Sequence, residues 1–408
     1  MNTVIKNGTL LLTSEEGFRT EKADLFISGD RIAAIGSRPA DFFPDETEDA
    51  AGMLVMPGLI NAHTHAYMTE LKGVADDVPF HQWLFEGVMP KEEAMTEEDA
   101  FRSAALGLKE MVMSGVTCFN DMQMHIRQTS GAAVKLGMRG VIGRGLSGDL
   151  SEPVPGGSRR INEAIEEMEA FRDEPLLTFA MAPHAPYTCS ADLLGKAAEI
   201  AAARGLRLHI HLSESRREVE ECRAAHGGLT PIEYADACGC FEVPAIAAHC
   251  VHITEHDIEI LRDKNVSVAS NPASNMKLGN GFAPVPEMLS AGINVCLGTD
   301  GSASNNRLNM FHEMSLMALI HKGRREDPES VSAAQTLKMA TVCGAKALGL
   351  DAGEIAPGKL ADLAFVDLSA LSMMPFAEPA SMLVYNATGA EVDSVMVGGK
   401  MIMKGRRF

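Results

Sequence analysis

The sequence is poor in basic residues, and this shortage excludes one large class of partners. Among 408 residues, 36 are lysine or arginine and 55 are aspartate or glutamate, so the net charge is −19. A protein that binds the nucleic-acid backbone needs a basic surface that neutralises phosphates. We therefore expect no nucleic-acid partner, whereas the charge says little about small substrates.

Long apolar runs and a secretion signal are also missing. No stretch approaches the roughly 18 apolar residues of a membrane-spanning helix. The first residues, Met1 to Lys6, lack the basic start and apolar core of a signal peptide. The eight cysteines form no C-x-x-C pair, which is typical of reduced thiols, although Cys238 and Cys240 could form an isolated redox or metal pair. These features predict a cytoplasmic protein with no membrane contact.

What the chain does contain is a regular alternation of apolar runs and helical patterns. Helical spacing follows Thr96 and ends at Gly115, and a similar pattern runs from Ser190 to Gly205. Eight strand–helix units within some 300 residues favour a (β/α)8 barrel, an α/β fold. An open doubly wound sheet is the alternative, but no glycine-rich nucleotide fingerprint follows the first strand. The predicted strands lie near residues 56–62, 116–120, 137–143, 176–182, 207–212, 245–249, 266–270 and 294–299.

Both ends of the chain are rich in short strands and turns. Turns at Asn7-Gly8 and Pro357-Gly358 separate apolar runs, as in hairpins. The two ends could be unconnected extensions, but they could equally pair into one small sheet domain. We predict a β-sandwich built from residues 1–56 and 357–408, with the barrel spanning residues 57–356.

Polar side chains of metal-binding or catalytic type follow most of the predicted strands. Active groups in (β/α)8 barrels sit at the carboxyl ends of the strands. A single histidine there is more often a core residue, but repetition in the same topological position is hard to explain by chance. The side chains that end or follow these strands are His63, His65, Arg144, His184, His209, His211, Glu214, His249 and Asp300.

Four of these groups can hold one divalent ion. His63 and His65 share one side of a strand, because residues i and i+2 point the same way. With His211 and Asp300 they make three imidazoles and a carboxylate, and they leave a position for water. An ion held in this way can lower the pKa of its bound water to about 7.

Two nearby side chains complete this candidate centre. Glu214 lies three residues beyond His211 and could carry a proton from the water to a substrate. His209 lies two residues before His211, and we interpret it as a supporting or packing residue, with a ligand role as the alternative.

These residues lie in motifs that resemble the amidohydrolase superfamily, in its cytosine and adenosine-type aminohydrolase branch. The resemblance is strongest to the 5'-methylthioadenosine/S-adenosylhomocysteine deaminases and covers nearly the whole chain. It implies a metal-dependent barrel with a composite sandwich of both termini. The matching stretches are Pro57-GLINAHTH-Ala66, Leu71-KGVADD-Val78, Trp83-LF, Gly115-VTCFNDM, Ala182-PHAPYTCS, His209-IHLSES, Ala247-AHCVH, Ser270-NPASNMKLGNG and Leu297-GTDGSASNN.

The resemblance also assigns roles at the metal centre. It implies that His63, His65, His211 and Asp300 bind a single ion and that no bridging lysine is present. Glu214 matches the proton shuttle. His249 matches the residue that positions the hydrolytic water, and Asp300 is expected to act as a base on the same water.

The resemblance also implies which residues contact the substrate, and for two of these contacts a neighbouring residue is an alternative. Glu92 matches a glutamate that binds ribose hydroxyls, with its neighbour Glu93 as the alternative. Arg144 and Arg159 match arginines that receive a substrate carboxylate, for which a forked guanidinium is suited. Arg160 is an equal alternative to Arg159, and both could instead be a solvated helix start. His184 matches a residue near the purine. Without that role it would be a histidine that packs a loop.

The implied reaction is hydrolytic deamination of an adenine nucleoside to the inosine-type product and ammonia. Candidate substrates are S-adenosylhomocysteine, 5'-methylthioadenosine, 5'-deoxyadenosine and adenosine. Alternatives are deamination of guanine, pterins or other aminoheterocycles, triazine hydrolysis, and a non-catalytic barrel scaffold. Zn2+ is the expected metal, and Fe2+, Ni2+ or Mn2+ suit the same donors. Relatives suggest a homo-oligomer.

Overall fold

The N-terminal segment folds into seven short strands. The structure, a computed structural model, describes residues 1–14 and 17–408. Most of these strands contain a short apolar run between turns, as in the buried side chains from Leu10 to Leu12. The strands are β1 (Asn2–Lys6), β2 (Thr9–Ser14), β3 (Gly17–Lys22), β4 (Leu25–Ser28), β5 (Arg31–Ile35), β6 (Glu46–Asp49) and β7 (Met53–Pro57).

The middle of the chain forms a closed barrel of parallel strands. Their side chains are almost entirely buried, as expected for strands covered by helices on the outside. The strands are β8 (Leu59–His65), β9 (Val116–Gln123), β10 (Arg139–Leu146), β11 (Leu177–Pro183), β12 (Arg207–Leu212), β13 (Ala245–His249), β14 (Ser267–Ser270), β15 (Val295–Leu297) and β16 (Asp300–Gly301).

The last barrel strand is split, and the split closes the barrel. β15 pairs with β14, whereas β16 pairs with β8 through Asp300 opposite Thr64. Gly298 lies at the break, where an added Cβ would stand 2.7 Å from the His63 carbonyl oxygen. Only glycine therefore lets the eighth strand approach the first closely enough for closure.

The C-terminal segment returns to the N-terminal strands. It contributes β17 (Leu363–Asp367), β18 (Val392–Val397) and β19 (Lys400–Met403). One sheet has the order β5-β4-β1-β6, and the other, built from both chain ends, has the order β19-β18-β17-β7-β2-β3. Side chains of both sheets share one apolar cluster that includes Ile5, Leu25, Leu10 and Phe365. The two sheets therefore form a sandwich.

Helices cover the outside of the barrel, and short turns complete the loops. The α-helices are Phe80–Gln82, Met89–Glu93, Glu97–Met113, Ile126–Leu136, Arg159–Ala170, Ala191–Arg204, Arg216–Ala225, Pro231–Ala237, Glu255–Asp263, Pro272–Lys277, Val285–Ser290, Ser302–Asn305, Met310–Arg325, Ala333–Met339, Val342–Leu348 and Pro379–Ser381. The 3-10 turns are Ala66–Leu71, Pro155–Gly157 and Leu371–Met373, and π-helical turns span Trp83–Val88 and Met382–Asn386.

The predicted (β/α)8 barrel with a sandwich from both ends is confirmed. The helix predicted after Thr96 begins there with a capping box formed with Asp99. The strand predicted near 56–62 is in fact two strands, because the chain leaves the sandwich and enters the barrel at Gly58. The domain boundaries at residues 57 and 356 stay a prediction. Within the described ranges, no helix is both long and apolar enough to cross a membrane.

Candidate active site

The four predicted metal ligands lie together at the carboxyl ends of barrel strands. His63 and His65 end β8, His211 lies in β12, and Asp300 begins β16. The Oδ1 atom of Asp300 is 3.4 Å from His63 Nε2 and 3.2 Å from His65 Nε2. His211 Nε2 lies 3.3 Å from His65 Nε2. All four side chains are buried.

Carbonyl oxygens orient two of these imidazoles from behind. The Nδ1 atom of His65 donates to the Met122 carbonyl at 2.5 Å, and the Nδ1 atom of His211 donates to the His184 carbonyl at 2.8 Å. A proton on Nδ1 leaves the lone pair on Nε2, which is the atom that faces the centre. Such outer hydrogen bonds are a common feature of histidine metal ligands.

His209 orients the third imidazole. Its Nε2 atom lies 2.8 Å from Nδ1 of His63, and its ring is completely buried on the same side of β12 as His211, with ring centroids 6.4 Å apart. Burial holds the pKa of His209 well below its usual value, so the ring is neutral and can accept a hydrogen bond from Nδ1–H of His63. The structure therefore places His209 behind His63, in agreement with its interpretation as a supporting residue.

The donor set fits a divalent cation. Nε2 of His63 is buried and has no hydrogen-bond partner among the described residues. Burial disfavours a charge on His65, but Asp300 and Asp121 outweigh it and raise the pKa of His65 to about 9. Three nitrogen lone pairs and a carboxylate converge here, and the local electrostatic field favours positive charge. Both features suit a metal ion. His249 joins this cluster, with a ligand atom within 4.8 Å of those of His63 and His211.

Asp300 is held firmly in place. Its Oδ2 atom accepts hydrogen bonds from Ser274 Oγ at 2.6 Å and Ser304 Oγ at 2.8 Å, and its Oδ1 atom accepts one from the Gly301 amide at 2.7 Å. The backbone of Asp300 has φ of +59°, a left-handed conformation that costs energy for a residue with a side chain. The cost is consistent with a functional constraint on the direction of this carboxylate.

Glu214 and His249 face each other beside the ligands. Oε2 of Glu214 is 3.7 Å from Nε2 of His249, and its Oε1 accepts a hydrogen bond from Asn280 Nδ2 at 3.0 Å. The Nδ1 atom of His249 donates to Asn275 Oδ1 at 2.8 Å. Burial, together with the charge of Asp300, holds the pKa of Glu214 well above its usual value. A protonated Glu214 can therefore donate a proton to a ligand.

A cavity of about 270 Å³ opens onto this centre. Its far wall comes from the segment after the first barrel strand and is apolar and aromatic, formed by Phe80, Trp83, Leu84 and Met89. The Trp83 indole donates to the Ala303 carbonyl at 3.2 Å, which ties this segment to the barrel. An apolar cavity with a few convergent polar groups is the usual form of a small-molecule site.

Most of the predicted substrate residues line the cavity. Glu92 and Glu93 both reach it, and Glu92 is the more buried of the two and accepts a hydrogen bond from the Tyr67 hydroxyl. Arg144 and His184 are also in the wall. Burial lowers the pKa of His184 to about 3, so this ring is neutral.

Arg159 is the exception, because the structure does not bring it to the cavity. Its side chain is exposed, whereas Arg160 lines the wall. The two residues start one helix, and neighbours on a helix point about 100° apart. Only one of them can therefore face inward, and here it is Arg160, the alternative left open by the sequence.

Several residues of the centre carry no assigned role in the sequence prediction. Ser274, Asn275 and Asn280 lie in the Ser270–Gly281 motif, and Ser304 lies in the motif that follows Asp300. A polar run that directly follows a strand of a predicted metal barrel is the signal that could have singled them out. Nothing local in the sequence singles out Tyr67 as the partner of Glu92.

Comparison with known families gives one match that spans most of the chain. The model of the "Amidohydrolase family" matches residues 54–402. The matched range begins in β7 of the sandwich, contains every barrel strand and ends in β19. The barrel and the C-terminal strands of the sandwich are thus covered by a single family description, and β1 to β6 lie before the matched range.

Individual relatives match over almost their full length. A "5-methylthioadenosine/S-adenosylhomocysteine deaminase" of Pelotomaculum thermopropionicum is 42% identical, with 100% of this chain and 94% of the relative covered. A "5'-deoxyadenosine deaminase" of Methanothermobacter thermautotrophicus is 40% identical, with 98% and 94% covered. The crystal structure of an adenosine deaminase from Xanthomonas campestris with bound zinc superimposes with a TM-score of 0.92 at 34% identity, covering 100% and 94%. The chain belongs to the amidohydrolase family.

Proposed function

We propose that this chain is a metal-dependent aminohydrolase that deaminates an adenine nucleoside to its inosine-type product and ammonia. The observation that carries the proposal is the meeting of a buried carboxyl, Glu214, with the histidine–aspartate cluster in one cavity. The same cavity is bordered by Glu92 and Arg144, polar groups suited to a ribose and a charged tail. The names of the deaminases similar to this chain support the same substrate class.

The proposed metal site consists of His63, His65, His211 and Asp300. A divalent ion held there supplies Lewis acidity and brings the pKa of a water molecule close to neutrality. Zn2+ is our first choice because of the donor types, and the zinc-bound adenosine deaminase of Xanthomonas campestris supports it. Iron, nickel or manganese suit the same donors.

Glu214 is the proposed acid for the purine ring. Burial raises the pKa of Glu214 and so favours its protonated form, from which a proton passes to N1 of the adenine. Protonation of N1 draws electron density from C6 and lets C6 accept a nucleophile. Asn280 holds the carboxyl in position through its hydrogen bond to Oε1.

His249 and Asp300 are the proposed partners of the attacking water. Nε2 of His249 carries a lone pair toward the centre, because its Nδ1 proton is donated to Asn275. The ring therefore accepts a hydrogen bond from the water and directs an oxygen lone pair at C6. Of the two protons of the water, one returns to Glu214 in exchange for the proton given to N1, and Asp300 takes the other and passes it to the departing nitrogen, so that ammonia leaves.

Glu92, Arg144, Arg160 and His184 are the proposed substrate contacts. The Glu92 carboxylate can accept hydrogen bonds from both ribose hydroxyls. Arg144 and Arg160 can bind a carboxylate at the end of a 5' tail, as guanidinium groups commonly do. With Arg160 in the cavity wall, we propose it in place of Arg159 for this role.

The alternatives are other aminoheterocycle substrates and a non-catalytic scaffold. Guanine, pterins and triazines offer no ribose for Glu92 and no tail for the arginines, so those groups would be without a function. A scaffold would not need the complete ligand set with Glu214 and His249 beside it. The adenine nucleoside is therefore the proposal that uses the most observed groups.

The decisive experiment is an ammonia-release panel on protein of known metal content. The panel contains S-adenosylhomocysteine, 5'-methylthioadenosine, 5'-deoxyadenosine, adenosine, guanine and cytosine. We expect activity on at least one adenine nucleoside and about one metal ion per chain. Activity confined to guanine would contradict the proposed substrate class, and inactivity on all six would contradict the proposed function.

We also propose that the enzyme acts in the cytoplasm as a homo-oligomer with no nucleic-acid partner. All eight cysteines are free, and six of them are buried, which suits a reducing compartment. Exposed apolar side chains such as Leu371 and Phe43 are available for contact with another copy. Light scattering on the purified protein checks the oligomeric state.

A further inference from the structure

The turn that carries Glu214 is held by a second buried carboxylate. Glu218 lies in the first turn of the helix Arg216–Ala225 and is 4% exposed. Its Oε1 atom accepts a hydrogen bond from the Ser213 amide at 2.9 Å, and its Oε2 atom accepts one from the Glu214 amide at 2.7 Å. The amide of Ser215 lies 3.4 Å from the same Oε2 atom. One side chain thus binds three consecutive amides of the turn between β12 and this helix.

Two of these three bonds exceed what a helix cap requires. In a capping box, the third helical residue accepts a hydrogen bond from the amide of the cap residue, which is Ser215 here. The next helix along the chain has such a box as well, in which Glu233 accepts the Thr230 amide at 2.7 Å and no other amide of the described residues. Glu218 makes its two shortest bonds one and two residues further back. The cap therefore explains only the longest of its contacts.

The backbone of this turn needs support from outside. Ser213 has φ of +52°, a left-handed conformation that costs energy for a residue with a side chain. Ser213 and Glu214 are both buried, and a buried amide without an acceptor is unfavourable. Glu218 supplies the acceptor for each of these amides. Without it, the turn would have to move toward another acceptor or toward water.

The peptide group that precedes the Glu214 side chain is held at both of its polar atoms. Its oxygen, the Ser213 carbonyl, accepts hydrogen bonds from the Val251 amide at 3.0 Å and the His252 amide at 2.9 Å. Its nitrogen, the Glu214 amide, donates to Glu218. Because a peptide group is planar, these two anchors fix its orientation, and with it the direction in which the Glu214 side chain leaves the backbone. The anchor on the oxygen does not involve Glu218, whereas the anchor on the nitrogen depends on it.

We propose that Glu218 is a positioning residue of the deamination, which directs Glu214 at the substrate by holding the turn between β12 and the following helix. The inference rests on the proposed function, in which Glu214 gives a proton to N1 of the adenine. Glu218 does not line the cavity, so it acts through Glu214. Proton transfer requires hydrogen-bond distance between the carboxyl and N1, and a misplacement of about 1 Å can lower a rate 10²-fold. The expected effect is therefore on kcat, with little change in KM.

Glu218→Asp separates the two roles of this carboxylate. Aspartate fills the equivalent position of another capping box of this chain, at Asp257, so the helix cap can be retained. The side chain is one methylene shorter and withdraws from the two amides further back. We expect kcat to fall about 10- to 100-fold on the nucleoside that the wild type deaminates best, with KM and metal content unchanged. The matched control Glu233→Asp shortens the corresponding residue of the next helix and should leave kcat unchanged.

A double-variant cycle shows whether the effect passes through Glu214. In a Glu214→Gln background the proposed acid is already absent, so adding Glu218→Asp should lower kcat by less than about twofold further. A general loss of structure would instead lower kcat by the same factor in both backgrounds. If Glu218→Asp melts below the assay temperature, Glu218→Gln takes its place in the cycle with the same expectation. It keeps the length, but its NH2 group faces one of the amides.

Hydrogen exchange gives a readout that does not depend on turnover. The amides of Ser213 and Glu214 should exchange faster in Glu218→Asp than in the wild type, because they lose their acceptor. In Glu233→Asp the same amides should exchange as in the wild type. Unchanged exchange in Glu218→Asp would show that the turn is held without this carboxylate and would overturn the inference.

The kinetic outcomes separate this inference from the proposed function. If the wild-type protein deaminates none of the nucleosides, both fail. If it is active and kcat of Glu218→Asp stays within about twofold of the wild type, the proposed function stands and the inference on Glu218 is wrong. An equal loss in the Glu214→Gln background, or in Glu233→Asp, would also overturn the inference, because the substitution would then act on the fold in general rather than through Glu214.

Discussion

At the scale of single residues, the chemistry depends on which ring nitrogen carries the proton. Each imidazole of the centre has an Nδ1 partner, either a carbonyl, an amide oxygen or another ring. Every Nε2 atom is thereby directed inward. The groups behind the ligands are accordingly as important for the site as the ligands themselves.

His209 gives the first prediction. His209→Leu removes the acceptor for the Nδ1 proton of His63, so His63 can rotate or change tautomer. We expect the affinity for Zn2+ to fall about 10- to 100-fold, measured by competition with a chelator. His256→Leu, which changes an exposed histidine, is the control. Equal affinities in both variants would mean that His209 only fills space.

Glu214 gives the second prediction. Glu214→Gln keeps the bond from Asn280 but has no acidic proton for the ring nitrogen. We expect kcat for ammonia release to fall about 10²- to 10⁴-fold with unchanged metal content. Glu221→Gln, on the helix that follows Glu214, should retain full activity because its side chain is exposed. Near-normal turnover in Glu214→Gln would show that another group supplies the proton.

The neighbouring arginines Arg159 and Arg160 give the third prediction. Arg160→Met should raise KM for S-adenosylhomocysteine about tenfold, because a charge-assisted hydrogen bond to its carboxylate is lost. KM for 5'-methylthioadenosine should change little. Arg159→Met should leave both values unchanged, since that side chain is exposed outside the cavity. The reverse pattern would mean that the helix start is rotated in solution.

This pair also marks a limit of prediction from sequence at the residue scale. The motif predicts an arginine at the helix start, but the choice between two consecutive positions depends on the rotation of the helix about its axis. That rotation is set by the packing of Ile161, Ala164 and Met168 against the barrel. The position of His63 and His65 on one side of a strand, in contrast, could be predicted because residues i and i+2 of a strand point the same way.

At the scale of elements, the helices on the barrel are joined through shared caps. Asp257 accepts hydrogen bonds from the backbone and the hydroxyl of Thr254, at 2.7 and 2.9 Å. It also accepts one from the hydroxyl of Thr230 at 2.5 Å, the residue that caps the preceding helix Pro231–Ala237. One buried carboxylate therefore holds the starts of two consecutive helices together.

The fourth prediction follows from this shared cap. Asp257→Ala should lower the free energy of unfolding by about 2–3 kcal/mol, since it removes one capping interaction and leaves the buried Thr230 hydroxyl without an acceptor for its proton. Urea denaturation measures the change. Asp263→Ala, at the exposed end of the same helix, should change stability by less than about 0.5 kcal/mol. A similar small effect in Asp257→Ala would mean that water replaces the lost bonds.

At the scale of the whole molecule, a buried ion pair connects the barrel with the sandwich. Arg139 begins β10, and its guanidinium binds Asp362 beside β17 through two hydrogen bonds of 2.7 and 3.1 Å. The Asp362 carboxylate also accepts a hydrogen bond from the Gly398 amide at 2.7 Å. The C-terminal segment is thus fixed to the end of the barrel opposite the metal ligands.

The fifth prediction concerns this connection. Asp362→Ala leaves the Arg139 charge buried without a partner, so the free energy of unfolding should fall by about 3–5 kcal/mol. The KM values should stay the same at low temperature, because the cavity is at the other end of the barrel. Asp351→Ala, which breaks an exposed pair with Arg31, should cost less than about 1 kcal/mol. Equal losses would mean that the sandwich and the barrel unfold independently.

The architecture could be predicted at this scale because eight apolar runs alternate with helical patterns. The sequence shows an uninterrupted run up to Leu297-Gly298-Thr299, so the split between β15 and β16 could not be predicted. That split depends on the distance between the first and last strands when the sheet closes. Closure depends on all eight strands together, so it cannot be predicted from the sequence pattern of any single strand.

The seam between β8 and β16 has a consequence for how the protein is made. His63, His65 and His211 leave the ribosome before Asp300, and Asp300 is directed at them only when β16 pairs with β8. A nascent chain that ends before β16 contains the three imidazoles but lacks the Asp300 carboxylate. For a metal held by all four proposed ligands, we therefore expect acquisition to be a late step of biosynthesis that follows the release of β16 from the translating ribosome.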